Sequence, residues 1–176
     1  MSEMFPVSTP EKSEILDDDA RKFIVDGINY HFLEQISASS FTMTVDWLET
    51  NEANEKKLAH KKFDTGEVQI LQISKRTVDG KRTSRKDKIT EEEYEELLDA
   101  SVLHLEKRRH ELVYMQDNIP FSVKFDEFAG GKLCVVEVDA SNEDDRQVFN
   151  PDDFPAKLTE VTGDLRYYGF RIAAIV

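Results

Sequence analysis

FSVKFDEFAGGKLCVVEVDA, residues 121–140, is two alternating strands joined by a glycine turn at Gly130-Gly131. On the first strand Phe121, Val123 and Phe125 share one face, and Ser122, Lys124, Asp126 and Phe128 share the other. On the second, Leu133, Val135, Glu137 and Asp139 lie on one face and Lys132, Cys134, Val136 and Val138 on its opposite. Carboxylates two residues apart on a strand project the same way, about 6.5–7 Å from each other. Glu137 and Asp139 do so on an otherwise apolar strand. If that strand closes a barrel, both acids face water outside or both face a polar interior.

The rest of the chain bounds the reading. Its 176 residues suit one domain with a sizeable core, at 39% hydrophobic and 34% charged residues. A net charge of −13 excludes a general binder of nucleic acid or of anionic membranes, and no run reaches transmembrane length. The 23 Lys and Arg can still be concentrated locally. The single cysteine, Cys134, sits in an apolar strand and reads as a buried, inert thiol. Without a signal-peptide core at the N-terminus, the cytoplasm is the expected compartment.

Outward from the central pair, residues 1–17 read as a loose arm and 18–176 as a single domain. Arg21–Val25 predicts a strand stopped at Asp26-Gly27, residues 30–36 stay open between helix and strand, and Phe41–Leu48 predicts a strand containing a core Trp47. Lys57–Phe63 pairs with Glu67–Arg76 across Asp64-Thr65-Gly66, with Leu58, His60 and Lys62 on one face. Gln69, Leu71, Ile73 and Lys75 share a face of the partner. A basic run over residues 77–88 turns at Asp79-Gly80. Thr90 and Glu93 form a capping box that starts a helix expected to reach about Leu105, burying Tyr94, Leu97, Leu98, Ser101, Val102 and Leu105. Lys107–Tyr114 alternates again, with Lys107, Arg109, Glu111 and Val113 together. Residues 141–155 are an acidic excursion, and the tail is a turn followed by a short helix or strand. The order predicts an α+β fold built on an antiparallel barrel or sheet.

The order of these motifs resembles the CYTH family of the triphosphate tunnel metalloenzymes. It is carried by Asp126, Phe128 and Gly130, by Glu137 and Asp139, and by the tail Val161–Tyr167 (VTGDLRY), with a basic strand, a Lys–turn–Arg hairpin, an acid-capped helix and another basic strand in sequence. The resemblance implies an eight-stranded antiparallel β-barrel with flanking helices, whose tunnel binds a triphosphate with Mg²⁺ or Mn²⁺. Family activities include hydrolysis of tripolyphosphate or thiamine triphosphate, and adenylate cyclisation.

Carried over by position, the family pattern implies substrate contacts from Lys22, His60, Lys62, Lys75, Arg85, Lys107 and Arg109. A one-residue slip would exchange Lys75 for Ser74. Lys75 and Arg85 would act in catalysis. Glu137, Asp139, Asp18, Asp87 and Asp126 would be the metal-side acids. The pattern is kept in part: Asp18 and Ala20 stand where two glutamates are usual, and Ile89 where a third acid is. The expected function is a metal-dependent phosphohydrolase acting on a triphosphate or polyphosphate-bearing small molecule. The alternatives are a non-catalytic module binding phosphorylated ligand and, from the net charge alone, a structural partner protein. Barrels of this kind often pair, which leaves the choice between monomer and homodimer open; nucleic acid and membrane are not expected partners. Taken without the resemblance, the basic run is a solvated hairpin tip and the Glu137/Asp139 face a solvated surface.

Overall fold

The computed structural model describes residues 15–17 (backbone), 19–26, 36–51 and 53–175. Of the expected loose arm at 1–17, residues 15–17 instead form a strand held by ladder pairing; the rest of it, Asp18 and most of the segment 30–36 fall outside the described residues. Ten strands form one antiparallel sheet: β1 (Ile15–Asp17), β2 (Arg21–Asp26), β3 (Ser39–Thr50), β4 (Asn54–Phe63), β5 (Val68–Val78), β6 (Lys81–Lys88), β7 (Leu103–Gln116), β8 (Ile119–Phe128), β9 (Leu133–Asp139) and β10 (Lys157–Glu160). Their order is β1-β6-β5-β4-β3-β7-β8-β9-β2-β10. The helices whose full range is described are α1 (Glu91–Leu98), α2 (Glu143–Gln147) and α3 (Gly169–Ile175).

The two ends of that order meet. β1 and β2 belong to one N-terminal run, yet β1 pairs with β6 and β2 with β9. Counting β1 and β2 as one strand, the ring is β1/β2, β6, β5, β4, β3, β7, β8 and β9: an eight-stranded antiparallel barrel, with β10 added beside β2. The tight connections have the chemistry such hairpins need. Asp79-Gly80 and Asp117-Asn118 both place two successive residues at positive φ, the conformation that matches strand twist.

Residues opposite one another in a ladder point to the same face, so a single assignment propagates through every register. Phe41, Met43, Val45 and Trp47 of β3, Ala59, Leu71, Ile73, Leu105, Phe128 and Val135 pack into one buried cluster. Ile172 and Ala173 of α3 join it, so α3 closes that end of the barrel interior. The approach is close: a Cβ at Gly169 would sit 3.1 Å from Trp47 Cζ2. The other faces of β2, β7, β8 and β9 supply Phe23, Leu112, Phe121, Val123, Phe125, Cys134, Val136 and Val138. This second layer lies outside the barrel and is covered by Phe149 and Phe154 from the acidic excursion. Glu137 and Asp126 therefore face inward. Cys134 lies beneath that outer cover, and burial pushes its thiol up to about 12, which keeps it inert.

The helix is shorter than its sequence pattern. The capping box forms, with Glu93 N donating to Thr90 Oγ1 (3.1 Å) and Thr90 N to Glu93 Oε2 (2.7 Å). The helix nevertheless ends at Leu98, and none of its residues is fully buried. Leu103 begins β7, which pairs with β3 over residues 103–111 and with β8 over 108–116, and Leu105 enters the barrel core. Two ladders satisfy more backbone groups and bury more apolar surface than another helical turn on the outside.

The outer cover gives a stability test. Phe149 is 2% exposed, and its ring lies 5.1 Å from that of Phe121 and 5.7 Å from that of Phe23. Phe149→Ala is expected to cost about 3–5 kcal/mol in urea unfolding; a loss below about 1 kcal/mol would show that the excursion does not hold the outer layer.

Candidate functional site: a cationic lumen

Beyond the apolar half, the inner face of the barrel carries charge. Asp126 on β8 lies opposite Arg109 on β7. Arg109 Nε donates to Asp126 Oδ1 and Nη2 to Oδ2, both at 2.6 Å, a bidentate pair. Lys107 Nζ, one pleat along on the same face, donates to Asp126 Oδ2 at 2.8 Å. Burial would raise the Asp126 carboxyl, but the two cations hold it well below the usual carboxylate range. Lys107 is pushed down to about 8 by burial and by Arg109, although Asp126 pulls the other way. The bidentate guanidinium decides the state of this cluster, so Asp126 is ionised at neutral pH.

Glu137 stands opposite both Lys22 and Lys124. Its burial is unfavourable to charge, yet Arg109, Lys22, Lys75 and Lys107 together hold it far below the ordinary range. Lys75 comes from β5, on another wall of the barrel, so these groups face a common lumen. Lys75, not Ser74, is inward: it lies opposite Glu55 and Ser84, while Ser74 lies opposite Arg85.

At the α3 end, Glu55 is buried and accepts from Trp47 Nε1 (2.7 Å), Lys57 Nζ (2.7 Å) and Arg82 Nη2 (2.6 Å). Burial opposes its charge, and Lys57 and Lys75 bring it down to about 2. Tyr168, just before α3, lies under two lumen cations, with Lys22 Nζ 4.4 Å and Arg82 Cζ 5.4 Å from the ring centre.

Several expected site residues lie elsewhere. Register pairs His60 with Thr44 and Lys62 with Thr42, on the outer face of β3 and β4, while the inward position is Lys61. His60 packs against Tyr94 of α1, ring centres 5.5 Å apart. Arg85 and Asp87 also point outward, where Arg85 Nε meets Asp87 Oδ2 at 3.1 Å; the inward residues of β6 are Arg82, Ser84 and Lys86. In both strands the reason is a shift of one residue, which reverses every side chain. Asp139 has inward parity but sits at the rim, where Arg146 Nε donates to its Oδ1 at 2.9 Å, beside an open cavity of about 310 Å³. Asp18 lies outside the described residues. The lumen thus brings together Lys22, Lys75, Lys107, Arg109, Asp126 and Glu137 from the expected set.

Arg108 pairs with Asp64, at 2.9 Å. His110 is fully buried, with Ser40 Oγ 2.8 Å from Nδ1 and Glu127 Oε2 2.6 Å from Nε2. Among the described residues no helix is long and apolar enough to cross a membrane.

No family model matches the chain, and no curated protein matches it. Among solved structures it is similar to the inorganic triphosphatase NE1496, at a TM-score of 0.56 and 23% identity over 90% of this chain and 99% of that one. A second crystal structure, described as the hypothetical protein NE1496, aligns at a TM-score of 0.54 and 22% identity over 92% and 97%. The chain has the CYTH-like tunnel fold.

Because Asp126 is buried and ion-paired on both sides, removing one partner leaves uncompensated charge. Arg109→Gln is expected to lower stability by about 3–5 kcal/mol in chemical denaturation at pH 7. Combining it with Asp126→Asn should restore part of that loss. A double variant as unstable as the sum of its single variants would mean that the pair is not coupled.

Proposed function

We propose that the lumen binds the phosphate chain of a triphosphate or polyphosphate-bearing small molecule and hydrolyses a phosphoanhydride bond in it. The observation that carries this reading is the convergence of Lys22, Lys75, Lys107 and Arg109 from three strands, β2, β5 and β7, around one interior. Phosphoryl transfer needs positioning and stabilisation of spreading negative charge more than covalent chemistry from the protein. Arg109 provides a planar fork and the lysines provide compact point charges for phosphate oxygens. Glu137 is a lumen carboxylate suited to orient an attacking water by accepting its hydrogen bond; its neighbours keep it charged and so make it a weak base, and the proton leaves to solvent. The triphosphatase named among the structural neighbours supports this class of reaction.

A divalent cation would supply Lewis-acid bridging of phosphate oxygens. The described residues do not offer it a built site. Asp126 is committed to Arg109 and Lys107, Asp139 to Arg146, and Asp87 is outside the barrel. That leaves Glu137, which is ringed by cations, and among the described residues no group of three or more His, Cys, Asp or Glu could hold a metal. No step is therefore routed through a metal. The same observation favours a second reading, a binding module that keeps the cationic lumen without turnover.

Phosphate release from tripolyphosphate, ATP and thiamine triphosphate, each with Mg²⁺, with Mn²⁺ and with EDTA, separates the two. The expected result is release that falls at least about 100-fold in Lys75→Ala and Glu137→Gln and is unchanged in Arg85→Ala. No release from any substrate, with ligand-induced thermal stabilisation intact, would leave the binding module. Release that Arg85→Ala abolishes and Lys75→Ala spares would overturn the lumen assignment.

A further inference from the structure

Three inward lysines do not belong to the cluster around Asp126. Lys61 lies opposite Met43 on one side and Gln69 on the other, Lys86 opposite Ile73, and Lys124 between Glu111 and Glu137. They come from β4, β6 and β8. Among the described residues none of the three has a carboxylate within ion-pair distance; Lys61 has the ring of Phe41, 5.1 Å from its Nζ. Their charges face one another, with Lys124, Lys61, Lys75 and Arg109 all acting on Lys86. Partial burial and then these like charges push Lys86 down to about 8. Lys61 is lowered too, by burial first and also by Arg109 and Lys124, although Glu111 and Asp126 pull the other way. Lys86 is exposed by surface area, as a wall residue of an open lumen is, and the crowding of like charge is the more telling observation. Between Lys75 and Lys86 sits Ser84, only 6% exposed, whose Oγ has no hydrogen-bond partner. That hydroxyl lies beside crowded ammonium groups and offers a further hydrogen-bond donor to an anion in the same space.

We infer that Lys61, Lys86 and Lys124, with the Ser84 hydroxyl, form a subsite that binds phosphoryl oxygens of a polyphosphate chain with no divalent cation between protein and ligand. The inference rests on the phosphate-binding reading above and sharpens it: the positive charge that a metal would bring is supplied here by the three lysines. Glu111 and Glu137 flank Lys124 across the ladders, but among the described residues no three acids come together to recruit a metal ion. An orthophosphate group meets only part of this charge, whereas a tripolyphosphate carries about four negative charges and can reach from the lysines toward Arg109. Affinity is therefore expected to rise from orthophosphate to pyrophosphate to tripolyphosphate. It should fall as pH rises through about 8, where Lys86 loses its proton, because only the charged ammonium attracts the ligand.

Calorimetric titration of the full chain with tripolyphosphate, in EDTA and in Mg²⁺, tests this. Binding in EDTA at least as tight as in Mg²⁺ is expected. Lys86→Gln and Lys124→Gln should each weaken it by about tenfold or more, the size of one charge-assisted contact. Lys62→Gln and Arg85→Gln remove the same charge from the outer faces of β4 and β6 and should change affinity less than about twofold. Thermal unfolding of the lysine variants should show no loss of stability, since repulsion is being removed. Binding that requires Mg²⁺ would overturn the metal-free subsite and leave the phosphate reading standing. Binding in EDTA that survives both lumen substitutions, or that outer-face substitutions weaken equally, would overturn the subsite as well. No binding to wild-type protein in either condition would overturn the phosphate reading itself.

Discussion

Antiparallel pairing forces opposed residues onto a common face, and every property of the lumen follows from that constraint. Once Trp47 and Val45 are committed to the interior, the registers of β3 with β4 and β7 carry the choice to Lys57, Lys61, Lys107 and Arg109. The registers of β5 with β4 and β6 then carry it to Lys75, Ser84 and Lys86. No strand can reverse its faces alone without a bulge or a slip, and either would break a ladder on both sides. The composition of the tunnel is a collective property of eight registers rather than of any local motif.

Within that frame, two kinds of interior share one barrel. One half is apolar, filled by Trp47, Leu105, Phe128 and the seat of α3, and resembles an ordinary core. The other half is held open by charge that cannot collapse onto itself. Asp126 pairs with Arg109 and Lys107, and Glu55 pairs with Lys57 and Arg82. These paired groups brace the walls, while the lysines with no carboxylate partner remain available for chemistry. Part of the protein's electrostatics is structural and part is held in reserve for a ligand, and the difference is visible in which cations have partners.

The sequence made much of this legible because period two is a strong signal where one face is apolar. Phe121, Val123 and Phe125 against Lys124 and Asp126, and Leu133 and Val135 beside Glu137, gave the correct pairing of faces. Alternation could not say that the more aromatic face was the outside, because that depends on Phe149 and Phe154 folding back over it. It also failed where both faces are polar. HKK at 60–62 and SRKDK at 84–88 hold a basic residue on either parity, so register there is set by neighbouring strands and not by the segment itself. Lys61 and Lys86 were missed by one position for that reason. The helix overran because Leu105 satisfies the helical stripe as well as it satisfies a strand facing the core.

The split of the N-terminal strand between β6 and β9 has a consequence for how the protein comes together. Ile15 meets Arg85 about 70 residues later, and Arg21 meets Val138 almost 120 residues later, so sealing the ring at β2 and β9 involves the longest separation among the strand pairings of the barrel wall. Contacts of that separation form slowly and late. Until β9 exists, the meander from β3 to β8 is an open, curled sheet, and its lysines can point into bulk water without confronting one another. Their mutual repulsion is incurred only at the final step. A polyanion present at that moment would draw the two edges together as well as occupy the space between them. The ligand would then be a participant in completing the fold.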